Sequence, residues 1–275
     1  MNEIAIHLSL ETVIYQIITC YTRDRHSDRN WPSPIIFDDI RADLLYNCPK
    51  GGSVGYYSDK LSSARLRLVY EIAPPRVRQY LRAEIDHVCG KIERGDTVLD
   101  LGCGYGRALP AFSRIAGMTV GIDTSFSSLV SALDLTGDLT ACHIACMDAV
   151  HLAFPDRCFD KVICIQNGIS AFHADQRELI RESIRVTKPG GIVFFSSYSE
   201  KFWDQRLEWF RLQAAAGLLG EIDMTRTKDG VIICKDGFKA TTVSPEEFAE
   251  LTAGFDVTVK IEEVDDSSVF CEIYI

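Results

Sequence analysis

The stretch Val98–Phe112, VLDLGCGYGRALPAF, decides the fold. It joins an apolar run, an acid, three glycines at alternate positions and a segment suited to open a helix. Such a loop has three readings. It cradles a phosphate, it lets an adenosyl group lie against bare backbone, or it makes a tight turn. The residues around it have to choose. Asp100 stands two positions before the first glycine, Gly102, with Cys103, Gly104 and Gly106 after it. Asp123 ends the next apolar run, MTVGID, 23 residues on. A carboxylate there can accept from both hydroxyls of an adenosine ribose. A dinucleotide loop runs G-x-G-x-x-G and faces a pyrophosphate. Here the spacing is G-x-G-x-G, and an acid beside a pyrophosphate is repelled. The cationic amino-acid end of S-adenosylmethionine is attracted to it instead.

Working outward, strands and helices alternate from Gly95 onward. DTVLDL (96–101), MTVGID (118–123), TACHIACM (140–147), FDKVICIQ (159–166) and IVFFSS (192–197) read as strands. Helices are expected at 105–116, 125–135 and 174–187, the last with Leu179, Ile180, Ser183, Ile184 and Thr187 inward. Nearly continuous apolar strands in a β-α-β rhythm imply a doubly wound, mostly parallel α/β sheet covered on both faces. Upstream, two helical patterns run from Leu61 and from Val77, the second with Val77, Leu81, Ile85 and Val88 in phase. Downstream, the spacing predicts a long helix within 199–220, a hairpin over 229–243 turning near Lys235–Gly237, and a helix capped by Ser244 with Glu247. Two strands close the chain. Residues 1–60 read as an arm or cap and 61–275 as the domain, with a core at 90–200, a cap insertion at 199–243 and a closing unit at 244–275.

The quoted residues resemble the motifs of the class I S-adenosylmethionine-dependent methyltransferases, in their small-molecule branch. VLDLGCGYGR is similar to the first motif, GIDTS to the second and CMDAVHLAFPDRCFDKVIC to the third. IQNGISAF stands where the fourth ends its strand, and RVTKPGGIVFFSS resembles the turn into strand five. The resemblance implies seven strands with the last antiparallel, an N-terminal helical lid, and S-adenosylmethionine as cofactor with S-adenosylhomocysteine as product. It places Asp100, Gly102, Cys103, Gly104 and Gly106 along the methionine moiety and Asp123 on the ribose. Thr124, Met147, Asp148 and Ala149 would flank the adenine, and Gln166 and Asn167 would close the floor near the sulfonium. Family members carry a bulky apolar residue after the ribose acid. Thr124 is smaller, so Met147 takes that place or stacking is weaker.

The acceptor is less legible. Transfer from a sulfonium needs placement and exclusion of water, and a base only when the acceptor must lose a proton. His173, shortly after strand four, and Tyr57 are the candidate catalytic residues; Tyr56 and Tyr57 are candidate lid residues over the cofactor. Tyr198 and Arg206 are candidates for the acceptor, Arg206 for an acceptor carboxylate. The helical stripe Trp203, Leu207, Phe210 and Ala214 reads as packing. IQNGISAF carries neither the proline-rich signature of amino methylation of bases nor the Pro-Cys pair of cytosine-ring methylation.

Charge and composition agree with a small acceptor. The 275-residue chain carries a net charge of −10 with no basic cluster, which argues against nucleic acid and against an anionic membrane surface. Its ten cysteines form no CxxC and fall in apolar runs, as in a reducing cytoplasm. CHIAC (142–146) puts His143 on the strand face opposite its two cysteines, so no metal site is expected. The apolar first 22 residues are a candidate homodimer surface. The readings left open are a methyltransferase acting on a protein, a non-catalytic S-adenosylmethionine-binding subunit, and a nicotinamide oxidoreductase.

Overall fold

The computed structural model describes residues 64–275. The arm at 1–60, with its candidate dimer surface and with Tyr56 and Tyr57, lies outside the described residues. The chain enters on two helices, α1 (Ala64–Glu71) and α2 (Pro75–Cys89), separated by the Ala73–Pro74–Pro75 break. Then come β1 (Thr97–Leu101), α3 (Leu109–Ser113), β2 (Met118–Asp123), α4 (Phe126–Thr136), β3 (Cys142–Cys146) and β4 (Phe159–Cys164). They are followed by α5 (Gly168–Ala171), α6 (Gln176–Val186) and β5 (Thr187–Tyr198). The last third holds α7 (Trp203–Ala215), the two-residue strands β6 (Ile232–Ile233) and β7 (Lys239–Ala240), α8 (Pro245–Thr252), β8 (Thr258–Val264) and β9 (Ser268–Tyr274).

The seven long strands form one sheet in the order β3-β2-β1-β4-β5-β9-β8. Neighbours from β3 to β5 pair in parallel, and β9 runs antiparallel between β5 and β8. The expected mostly parallel sheet with its last strand antiparallel is therefore present. The reason is visible in the burial: β1 is buried from Val98 to Leu101 and β2 from Met118 to Ile122. Strands covered on both faces have no solvent side, so every position tolerates an apolar residue. α6 buries Leu179, Ile180, Ser183 and Val186, and Asp175 caps its start by accepting from the N–H groups of Arg177 and Glu178. α8 starts on the full capping box of Ser244 and Glu247.

Two expected elements are shorter. The helix read at 105–116 is only Leu109–Ser113, because the chain stays in the glycine turn until Ala108. Gly102, Gly104 and Gly106 all have positive φ, at +72°, +56° and +83°. The long segment read within 199–220 begins as a 3₁₀ turn, Glu200–Phe202, and ends at Ala215. Its stripe does pack: Leu207 and Phe210 are buried, with Trp203 and Ala214 against the same cluster as Tyr80, Tyr198 and Phe238. That second apolar cluster joins α1, α2, α7 and the β6–β7 segment. It lies apart from the cluster formed by the sheet with α6 and α8.

Candidate active site

The glycine loop leaves the C-terminal end of β1, where ligands of open α/β sheets bind. A cleft opens there, with about 420 Å³ of atom-free space. Its walls include Asp100, Gly102, Cys103 and Gly104 from the loop, Leu66 and Tyr70 from α1, Tyr105 and Arg107, and Ile165 and Gln166 after β4. The glycines are fixed by more than their backbone. A Cβ on Gly102 would stand 2.5 Å from the ring of Phe172, and one on Gly106 would stand 3.0 Å from Cβ of Ala132 on α4. On Gly104 it would reach the Leu66 side chain at 3.1 Å. Two of the three glycines thus let helices close on the loop, and the third keeps the face beneath α1 bare.

Asp100 is 4% exposed. Burial raises its pKa to about 7, against the pull of Arg107 and with a smaller push from Asp123. Among the described residues no hydrogen bond reaches its carboxylate, so it stands in the cleft as an uncompensated acceptor. Asp123 ends β2, one strand over. Its Oδ2 accepts from the Gly104 N–H at 2.9 Å and its Oδ1 from the Ser125 N–H at 2.7 Å. Burial raises its pKa, and these backbone donors with that of Thr124 oppose the rise. Each oxygen keeps a further lone pair for a hydroxyl donor. Met147 follows β3 and donates its N–H to the Asp123 carbonyl at 3.2 Å; its side chain is buried, as is Ala149. Thr124 and Asp148 are exposed, and Asp148 lies 3.6 Å from the His151 ring.

The floor is built by two successive non-glycine residues with positive φ, Gln166 at +58° and Asn167 at +61°. Such a pair is strained and persists only where its surroundings hold it. The holder is Glu84 of α2, completely buried. The Gln166 N–H donates both to Glu84 Oε2 and to Ser196 Oγ, each at 2.8 Å. Ser268 Oγ donates to Glu84 Oε1 at 2.9 Å. Burial lifts Glu84 to about 7 despite these donors and Arg107. Gln166 keeps its side chain in the cleft and accepts from the Tyr70 hydroxyl at 3.0 Å, which closes α1 over the loop. Asn167 turns away: its Nδ2 donates to the Thr241 carbonyl, and its Oδ1 accepts from Ser197 Oγ. Gln166 is therefore a wall of the cleft, and Asn167 is a tie to the lobe after β5.

The other predicted acceptor residues sit elsewhere. His173, with φ of +52°, follows α5 and is not among the residues lining the cleft. Tyr198 belongs to a three-ring cluster, tilted against Tyr80 at 5.3 Å and stacked on Phe202 at 6.3 Å between centroids. Arg206 is 1% exposed, donates to the Gly230 carbonyl at 2.7 Å and lies 4.4 Å over the Tyr198 ring. Both belong to the second apolar cluster. Sequence reading passed over Glu84, Tyr70, Tyr105 and Arg107. Glu84 had a signal: it falls three residues after Leu81 and four before Val88, on the buried stripe of α2, where a lone acid needs a reason.

Residues 99–195 match the family model described as a methyltransferase domain. This stretch is similar to a methyltransferase domain. It starts inside β1 and ends inside β5, so it contains the loop, Asp123 and the floor, and leaves out α1 and α2. The 2-methyl-6-phytyl-1,4-hydroquinone methyltransferase of Synechocystis is 30% identical over 149 residues, 48% of this chain and 46% of that protein. The malonyl-[acyl-carrier protein] O-methyltransferase of Marinomonas is 35% identical over 114 residues, 40% of each. The chain thus spans less than half the length of these relatives. Among solved structures, a SAM-dependent methyltransferase from Aquifex aeolicus superposes with a TM-score of 0.52 at 15% identity, covering 75% of this chain and 96% of that one. The DhpI–SAM–HEP complex gives 0.54 at 20%, covering 80% and 94%. The described residues thus share the fold of these two solved structures.

Proposed function

We propose that this chain is an S-adenosylmethionine-dependent methyltransferase acting on a small-molecule acceptor. The observation that carries the reading is the buried Asp100 carboxylate, uncompensated by hydrogen bonds among the described residues, beside a glycine loop whose next-strand acid is free to take hydroxyl donors. The site fits the cofactor: Asp100 would hold the ammonium of its methionine part, Asp123 the ribose hydroxyls, and Met147 and Ala149 the adenine face. When bound, the cofactor supplies an electrophilic methyl on a cationic sulfur. The chain's own groups place and shield. Glu84 fixes Gln166 in its left-handed conformation. Tyr70 bridges α1 to that amide, and Leu66, Tyr105 and Ile165 exclude water, which favours the in-line geometry of the transfer. The two named relatives methylate a quinol and an acyl-carrier-bound malonyl group. The aromatic and aliphatic walls suit an acceptor of that size class, and α1 serves as the lid.

The test is a thermal-shift panel on the full chain. S-adenosylhomocysteine at 100 times its dissociation constant should add about 2.7 kcal/mol of stability. A stabilisation by reduced nicotinamide dinucleotide with none by S-adenosylhomocysteine would overturn the reading in favour of an oxidoreductase. Binding without turnover on any quinol, carboxylate or thioester acceptor would leave a cofactor-binding subunit instead.

A further inference from the structure

Glu84 lies on α2 and is completely buried. Its carboxylate sits directly behind the cleft wall. Oε2 accepts from the Gln166 N–H at 2.8 Å, and Gln166 lines the cleft. Ser268 Oγ donates to Oε1 at 2.9 Å, and the Ser196 hydroxyl also bonds the carboxylate. All of these donors are neutral. Holding the floor in place needs acceptors only, and the amide of a glutamine among rotatable hydroxyls suffices for that. The negative charge is extra to that role, and it is costly: burial lifts the group to about 7.

The groups that face Glu84 do little for that charge. They are Tyr70 on α1, Tyr80 on its own helix, Cys164 on β4, Tyr198 on β5 and Arg107 after the glycine loop. Burial pushes all three phenols and the Cys164 thiol up, so they are neutral where Glu84 titrates. Arg107 is the cation among these groups. It opposes the rise less than any of the neutral donors, and no hydrogen bond joins it to Glu84 among the described residues. The chain thus leaves a buried negative charge short of a partner at the back of a cleft read as holding a cationic cofactor. On that reading Asp100 already faces the ammonium and Asp123 the ribose. The cationic centre left without an acid is the sulfonium, and the acid left without a cation is Glu84.

Resting on the methyltransferase reading, we propose that the buried Glu84 carboxylate discriminates the charged cofactor from its neutral product, favouring the sulfonium of S-adenosylmethionine over the thioether of S-adenosylhomocysteine. The two ligands differ by one methyl group and one positive charge. An ionised Glu84 attracts the first and gains nothing from the second. A protonated Glu84 does not tell them apart. Selectivity for the charged ligand therefore rises with pH as Glu84 ionises.

The experiment is calorimetric titration of the full chain with S-adenosylmethionine and with S-adenosylhomocysteine at a series of pH values. Relative to Glu84→Gln, the wild-type preference for S-adenosylmethionine should rise roughly fivefold between about pH 5.5 and about pH 7.5, for a coupling of about one pH unit. The titrations of the ligands themselves are common to both chains and cancel in this comparison. Binding of both ligands by Glu84→Gln would show that it is folded. Asp100→Asn should weaken both ligands and keep the rise, because both carry the ammonium. A wild-type ratio that tracks that of Glu84→Gln overturns the assignment, and so does a rise lost in Asp100→Asn. If Glu84→Gln binds neither ligand, Ser268→Ala decides. Losing a donor to the carboxylate raises the pH at which Glu84 ionises, so the rise should move to higher pH, and a rise left in place overturns the assignment. Failure of the wild type to bind either ligand would instead overturn the methyltransferase reading on which it rests.

Discussion

Two fully buried glutamates, one on α2 and the other packed against it, behave in opposite ways. Glu272 on β9 is surrounded by donors: the Lys91 ammonium, the His87 ring at 2.7 Å and the Tyr274 hydroxyl at 2.5 Å. Burial alone would raise its pKa, but Lys91, Tyr274 and His87 overcome burial and hold it at about 2. Glu84, on the face of α2 toward the cleft, has hydroxyl and backbone donors only, and stays at about 7. Asp100 is in the same state. Burial is common to all three, so the partners decide. At the structural site the chain supplies its own cation. At the cleft it leaves two acids with one shared guanidinium, and the shortfall of positive charge is what a cationic ligand meets.

The contrast can be broken at its strong end first. Lys91→Met removes the main cation beside a fully buried carboxylate and should cost about 3 kcal/mol in urea unfolding at pH 7. A loss under 1 kcal/mol would mean that His87 and Tyr274 suffice. The next effect is one of pH. Glu272 has a depressed folded pKa, so its contribution is present above the ordinary carboxylate range and is lost as pH falls from about 4.5 toward 2. Glu84 and Asp100 have raised folded pKa values. Below the ordinary range they cost nothing, and stability falls as pH rises from about 4.5 to about 7. Glu84→Gln should therefore flatten the decline between pH 5 and pH 8 by about 2 kcal/mol. The same decline in the variant would show that Glu84 does not titrate there.

Two smaller effects sharpen the comparison. Asp100→Asn should weaken S-adenosylhomocysteine by about tenfold with little loss of stability at pH 8, since it removes a buried charge that has no fixed partner. Unchanged affinity would place the ligand's ammonium elsewhere. Ser268→Ala removes one donor to Glu84 and should cost about 1 kcal/mol at pH 8, and less at pH 5, where the carboxyl is protonated. An equal cost at both pH values would make Ser268 a packing residue only.

How far the sequence could be read follows the same division. The sheet, its helices and the cap at Ser244 were legible because they rest on local pattern: apolar runs, helical spacing and a cap residue. The glycine loop with Asp100 and Asp123 was legible for the same reason, since its parts lie within one β-α-β unit. The floor was not. Glu84, Gln166, Ser196 and Ser268 meet across three strands and a helix, and no local spacing announces that meeting. Arg206 shows how far a side chain's surroundings can lie from its local spacing. A polar residue beside an apolar stripe suggested a binding role, yet the chain buries it on the Gly230 carbonyl and the Tyr198 ring. Asn167 follows the same lesson, since its neighbour Gln166 lines the cleft while its own amide is spent on Thr241 and Ser197.

The left-handed pair at Gln166 and Asn167 also bears on how the molecule assembles. Those backbone angles are unfavourable in a free chain, and what compensates them comes from α2, β5, β9 and the segment at Thr241. The cleft floor therefore takes shape only after elements from both ends of the described chain have docked. The unit of β1, β2 and β3 carries the glycine loop and Asp123 but none of the residues that hold this floor.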